Sequence, residues 1–150
     1  MNAESLNVFT HEVAKDAAFG LSVLAIVLLL TTSKFVRIFI GFSRACANPK
    51  VHTTFHLTSR FLLATVLICI TQVLAILIWT MALYLTDLIG NINSAMLFAG
   101  SCFTTLGIFT THLPAGWQSI SFYIAFSGLF SFAMATSVLI SMMSTMGKKI

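Results

Sequence analysis

Few side chains in this sequence could do covalent chemistry. His52 and His56 stand four apart and on a helix would share a face. Such a pair can touch a transition metal, but two imidazoles without a carboxylate or thiol make a poor site, and solvated or interfacial histidines are the simpler reading. Cys46, Cys69 and Cys102 have neither metal-ligand nor redox spacing and read as free thiols that pack as small apolar groups. No Ser-His-Asp, zincin, Walker or dinucleotide pattern occurs, and no paired acids or nucleophile–base set falls inside the apolar runs. The chain is therefore not read as an enzyme, and no cofactor is expected. What remains is a polar hairpin. Residues 94–105 form an apolar run too short to cross a bilayer, followed by Thr110, Thr111 and His112 and then by Pro114 and Gly116. Irregular backbone at membrane depth is tolerated only where protein or water covers it. This segment is expected to line an aqueous path.

The elements that must hold that hairpin follow from composition. Of the 150 residues, 58% are hydrophobic and only 8% are charged. A soluble domain of this size needs more charge to coat its surface, so the excess apolar material must face lipid or other chains. The net charge of +4 is unevenly placed: Lys34, Arg37, Arg44, Lys50 and Arg60 cluster, and Lys148 and Lys149 end the sequence. A nucleic-acid binder would interleave such bases with exposed aromatics on a polar surface. Here they flank apolar runs, which is the signature of membrane topology.

Three spans are expected, over residues 17–33, 61–85 and 117–143. The acids that precede the first run and the lack of a small-residue cleavage site argue against a signal peptide. Residues 1–16 could make an interfacial turn through Phe9 and Val13, and residues 41–59 read as a linker broken at Asn48-Pro49. Trp79 and Tyr84 are expected as interface anchors, and Gln72 as a polar side chain turned toward another helix. Asn93 or Ser94 is the expected N-cap of the short run. The basic linker belongs in the cytoplasm, which puts the N-terminus outside, opens the hairpin to the outside, and returns the C-terminus to the cytoplasm.

Residues 98–110 read Phe-Ala-Gly-Ser-Cys-Phe-Thr-Thr-Leu-Gly-Ile-Phe-Thr. This resembles the potassium-channel superfamily, whose pore helix commonly ends Phe-x-x-x-T-x-T-T-V-G-Y-G-D. Thr104-Thr105-Leu106-Gly107 aligns with T-T-V-G without a gap. His112-Leu113-Pro114-Ala115-Gly116-Trp117 is similar to the family's turn into its inner helix, and residues 128–136 resemble the region around the family's hinge glycine. The resemblance covers residues 61–143, with the first span extra to the two-helix pattern.

The resemblance implies an all-α membrane protein of three spans plus a re-entrant pore helix and filter loop. Residues 1–60 would form an N-terminal helix and basic linker, and residues 61–150 the pore module. Filter residues would be Thr104, Thr105, Leu106, Gly107, Ile108 and Phe109. Their carbonyls would replace the water of a permeating monovalent cation, K or Na. One loop per chain cannot close such a ring, so a cyclic homotetramer is implied. Leu129, Phe132, Thr136 and Ile140 would line the cavity, although their spacing alone favours packing residues. Gly128 would be a gating hinge or a close-packing site. Asp87, Thr110 and His112 would sit at the outer mouth, where Asp87 could raise the local cation concentration or simply end the second span in water. Phe126 and Phe130 would face lipid or a neighbouring subunit.

Phe109 stands where the family has its second filter glycine, Ile108 where it has an aromatic, and Thr110 where it has an acid. Glycine is used there because the backbone needs dihedrals that a side chain disfavours. The outer half of the filter is therefore expected to be remodelled, with fewer ion sites or a wider mouth. Two other functions stay open: a non-conducting accessory subunit that keeps the fold, and a transporter subunit with a re-entrant substrate loop. The lipid bilayer is the expected environment, a separate regulatory subunit is possible, and no nucleic acid is expected.

Overall fold

The computed structural model describes residues 3–47, 54–108, 113–114 and 116–147, with backbone only for residues 3–13 and 54. Four helices carry nearly all of these residues: α1 (Ala3–Ala47), α2 (Thr54–Leu85), α3 (Ile92–Phe103) and α4 (Ile120–Gly147). No strand occurs among the described residues. Pro114 lies outside the helices, where a missing backbone N–H costs nothing. Three of the helices are long and apolar enough to cross a membrane. At 1.5 Å per residue, α2 and α4 reach about 48 and 42 Å, beyond the roughly 30 Å hydrocarbon core. The twelve residues of α3 reach only about 18 Å and cannot span it.

The helices run further than the hydropathy alone predicts. Residues 41–47 continue α1 and residues 54–59 already belong to α2, so much of the expected linker is helical. The cause is packing. Phe42 and Cys46 continue the buried stripe of α1 and meet Leu57 and Met142. The Asn48-Pro49 break and His52 lie outside the described residues, as do the side chains of Phe9 and Val13. The last helix starts at Ile120, three residues later than expected, and ends at Gly147.

The chain divides into two compact units, which the long helices traverse. Unit 1 comprises Met1–Leu28 and Ala75–Phe130. Its core joins Val23 and Val27 of α1, Ala75, Trp79 and Leu83 of α2, Phe98 and Phe103 of α3, and Ile120 and Ile124 of α4. Trp79 is fully buried here and donates its indole N–H to Ser127 Oγ at 2.9 Å. It is therefore not an interface anchor: its N–H finds a partner inside, which an aromatic with one polar atom needs when buried. Tyr84 is exposed.

Unit 2 comprises Leu29–Leu74 and Ser131–Ile150. Phe35, Ile68 and Ala135 form one buried cluster, and Phe42, Leu57, Ala64 and Met142 another. Phe42 and Phe61 meet edge to face at 6.3 Å. Gln72 is turned inward, only 8% exposed. Cys46 is buried and Cys69 exposed, and neither is in a disulfide.

Candidate functional site

The short helix α3 is defined at both ends by backbone chemistry. Asn91, extended at φ −113°, is its N-cap, and its side-chain oxygen accepts from the N–H groups of Asn93 (2.9 Å) and Ser94 (3.5 Å). The cap thus lies two residues before Asn93 and three before Ser94, the positions expected from sequence. The reason is that Ile92 is already helical and the capping residue must precede it. Ala95, Phe98, Ala99 and Phe103 form the buried face of α3, spaced three, four and eight residues from the first.

The C-terminus of α3 is closed by the threonines singled out in the sequence. Thr105 adopts φ +58°, in the left-handed region. Its N–H donates to the carbonyl of Cys102 (3.0 Å), and the N–H of Leu106 donates to the carbonyl of Ser101 (2.9 Å). This is the Schellman closure of a helix, which normally places glycine at the left-handed position. The Gly107 N–H joins the same Ser101 carbonyl at 3.2 Å, and Gly107 itself sits at φ +61°. Thr104 folds its hydroxyl back onto the Gly100 carbonyl, and Thr105 donates its own to the Thr104 carbonyl. Thr105, Leu106, Gly107 and Ile108 are exposed, Ile108 to 76%. Phe109, Thr110 and His112 lie outside the described residues.

α3 is seated on α4 by a backbone-to-backbone approach. A Cβ placed on Gly128 would run into the carbonyl oxygen of Phe103, its carbonyl carbon at 2.8 Å and its Cα at 3.2 Å. Gly128 is thus a close-packing residue. Further along α4, Leu129, Phe132, Thr136 and Ile140 are all on the exposed side. Phe122, Phe126 and Phe130 form an exposed ladder with ring centroids 5.4 and 5.2 Å apart. The turn into α4 has Gly116 at φ +94° and the Trp117 N–H on the Pro114 carbonyl at 3.1 Å, the geometry that glycine permits at such a turn.

Asp87 also occupies a left-handed position, at φ +55°. Its N–H donates to the Tyr84 carbonyl, and the Leu88 N–H donates to the Leu83 carbonyl. Asp87 therefore closes α2 as Thr105 closes α3, and it is exposed.

Two buried polar contacts escaped the sequence reading. Asp16 is 1% exposed, and its Oδ2 accepts the Ser119 N–H at 3.2 Å, just before α4 begins. A carboxylate there meets the positive end of the α4 dipole and one of the N–H groups near the helix start. The signal was available: an acid at the head of an apolar run is costly unless satisfied. The Trp79–Ser127 bond is the second, extended by the Ser127 hydroxyl donating to the Ile124 carbonyl. Compared with protein families, with curated proteins and with solved structures, the chain matches none.

Proposed function

We propose that the chain is the subunit of a tetrameric pore-loop channel that conducts monovalent cations. The observation that carries this reading is the placement of α3. A twelve-residue apolar helix, too short to span, lies in the chain between two helices long and apolar enough to span, and ends in the turn Thr104-Thr105-Leu106-Gly107, exposed from Thr105 onward. Such a helix aims its negative end at whatever occupies the turn, which favours a cation. Thr105 and Gly107 at positive φ are consistent with backbone that departs from the helix to present oxygens. Leu106 and Ile108, 65% and 76% exposed on one chain, suit burial against neighbouring copies around an axis. The exposed stripe Leu129, Phe132, Thr136 and Ile140 would line the ion path. Phe109 in place of a second glycine favours one rival, a non-conducting accessory subunit of the same fold.

The test is flux from liposomes that hold the purified protein under opposed potassium, sodium and chloride gradients. Cation flux is expected, and Gly107→Val and Thr105→Ala should abolish or strongly reduce it while the protein still folds. Unchanged flux in both variants would remove the filter assignment. A folded tetramer without flux would favour the accessory subunit.

A further inference from the structure

The positive charge of this protein is concentrated in one unit. Every Lys and Arg except Lys15 falls in unit 2, while all four acids fall in unit 1. Unit 2 carries an open groove of about 310 Å³ between α1 and α2. Arg37 lines one wall and Arg60 the other, with Phe42, Ala45, Leu63 and Leu67 between them. Gly41 also lines the groove, and a Cβ placed there would meet nothing within 4 Å. Arg60 lies just before the apolar run of α2 that begins at Phe61, and Arg37 lies ten residues before the end of α1, where Lys34, Arg37 and Arg44 interrupt the apolar sequence. Basic residues that flank apolar runs in this way belong at the level of lipid headgroups.

We propose that this groove binds an anionic phospholipid, with its phosphate between Arg37 and Arg60 and its glycerol and first methylenes against Gly41, Phe42 and Leu63. Guanidinium groups suit the task because they pair with phosphate through two parallel hydrogen bonds and are weakly hydrated. No Asp or Glu falls within unit 2 to take that place. A second copy of this unit would bring only more positive charge, which favours lipid over self-association at this face. The proposal requires only that the helices span a membrane and is independent of ion conduction.

The experiment uses the full chain in neutral micelles doped with phosphatidylglycerol or phosphatidylcholine. Retained lipid is counted by native mass spectrometry, and thermal unfolding is followed in parallel. Phosphatidylglycerol should be retained in preference to phosphatidylcholine. Arg37→Gln and Arg60→Gln should each weaken it about fivefold, the scale of one basic side chain near an anionic surface. Gly41→Phe fills the groove with both charges intact and should weaken it as much, with unfolding in phosphatidylcholine unchanged. Lys34→Gln, outside the groove, should change it less than about twofold because its charge is screened. Three results would overturn the proposal: equal losses in Lys34→Gln and Arg37→Gln, undiminished binding in Gly41→Phe, or inorganic phosphate alone raising the unfolding temperature as much as the lipid does.

Discussion

Gly128 on α4 meets the backbone carbonyl of Phe103, the last residue of α3, with no room for a side chain between them. The atoms in the way are backbone, so they cannot swing aside as a flexible side chain would. This contact fixes the height and tilt of the helix that ends in the candidate filter turn.

Gly128→Ala is therefore expected to destabilise the protein by about 1–3 kcal/mol, the usual cost of overpacking a filled site. An unconstrained helix glycine would do the opposite and gain about 0.5–1 kcal/mol on the same change. Reversible unfolding in mixed micelles decides between them. A stabilised Gly128→Ala with altered flux would point to a hinge instead.

Thr105 holds a left-handed conformation that costs a residue with a Cβ about 1–2 kcal/mol. Thr105→Gly should raise stability by about that amount, less the small loss of the hydroxyl's bond to the Thr104 carbonyl. Thr105→Ala keeps the strain and should not stabilise. If both substitutions shift the unfolding midpoint alike, the Schellman closure is not what Thr105 provides.

Asp16 secures the start of α4 from α1. Asp16→Ala removes the acceptor for the Ser119 N–H and the charge at the helix N-terminus, and should cost about 1–2 kcal/mol. Asp16→Asn retains an acceptor oxygen and should recover part of that loss. Hydrogen exchange at Ser119, read in the two variants, should rise in the alanine and much less in the asparagine. Equal protection in all three proteins would show that the contact carries no energy.

The Trp79–Ser127 bond can be isolated by a double-mutant cycle with Trp79→Phe and Ser127→Ala. Interhelical hydrogen bonds in membranes average about 0.6 kcal/mol and reach about 1.7 kcal/mol, so the coupling should fall in that range. Ser127→Ala alone should cost more than the coupling, because it leaves the indole N–H buried without its acceptor. Strictly additive single effects would remove the bond from the accounts of what holds α2 to α4.

The spans at 61–85 and 117–143 and the short run near 94–105 were legible in the sequence because span length and hydropathy are local properties. The inward turn of Gln72 was legible for the same reason, since a lone amide in an apolar run has few alternatives. The direction of Trp79 was not. In a helix apolar on all sides, the residues facing lipid are as hydrophobic as those facing protein, so no stripe marks the buried face.

By itself, then, the sequence determined that three helices are long and apolar enough to cross a membrane, that a fourth is too short, and that a Thr-Thr-Leu-Gly turn ends it. Only the tertiary structure decided that Gly128 is a seat for Phe103, that Thr105 and Asp87 close helices in the left-handed conformation, and that Asp16 is buried against Ser119. Those facts depend on which atoms of distant segments come together. Hydropathy records only how far each residue prefers to be from water.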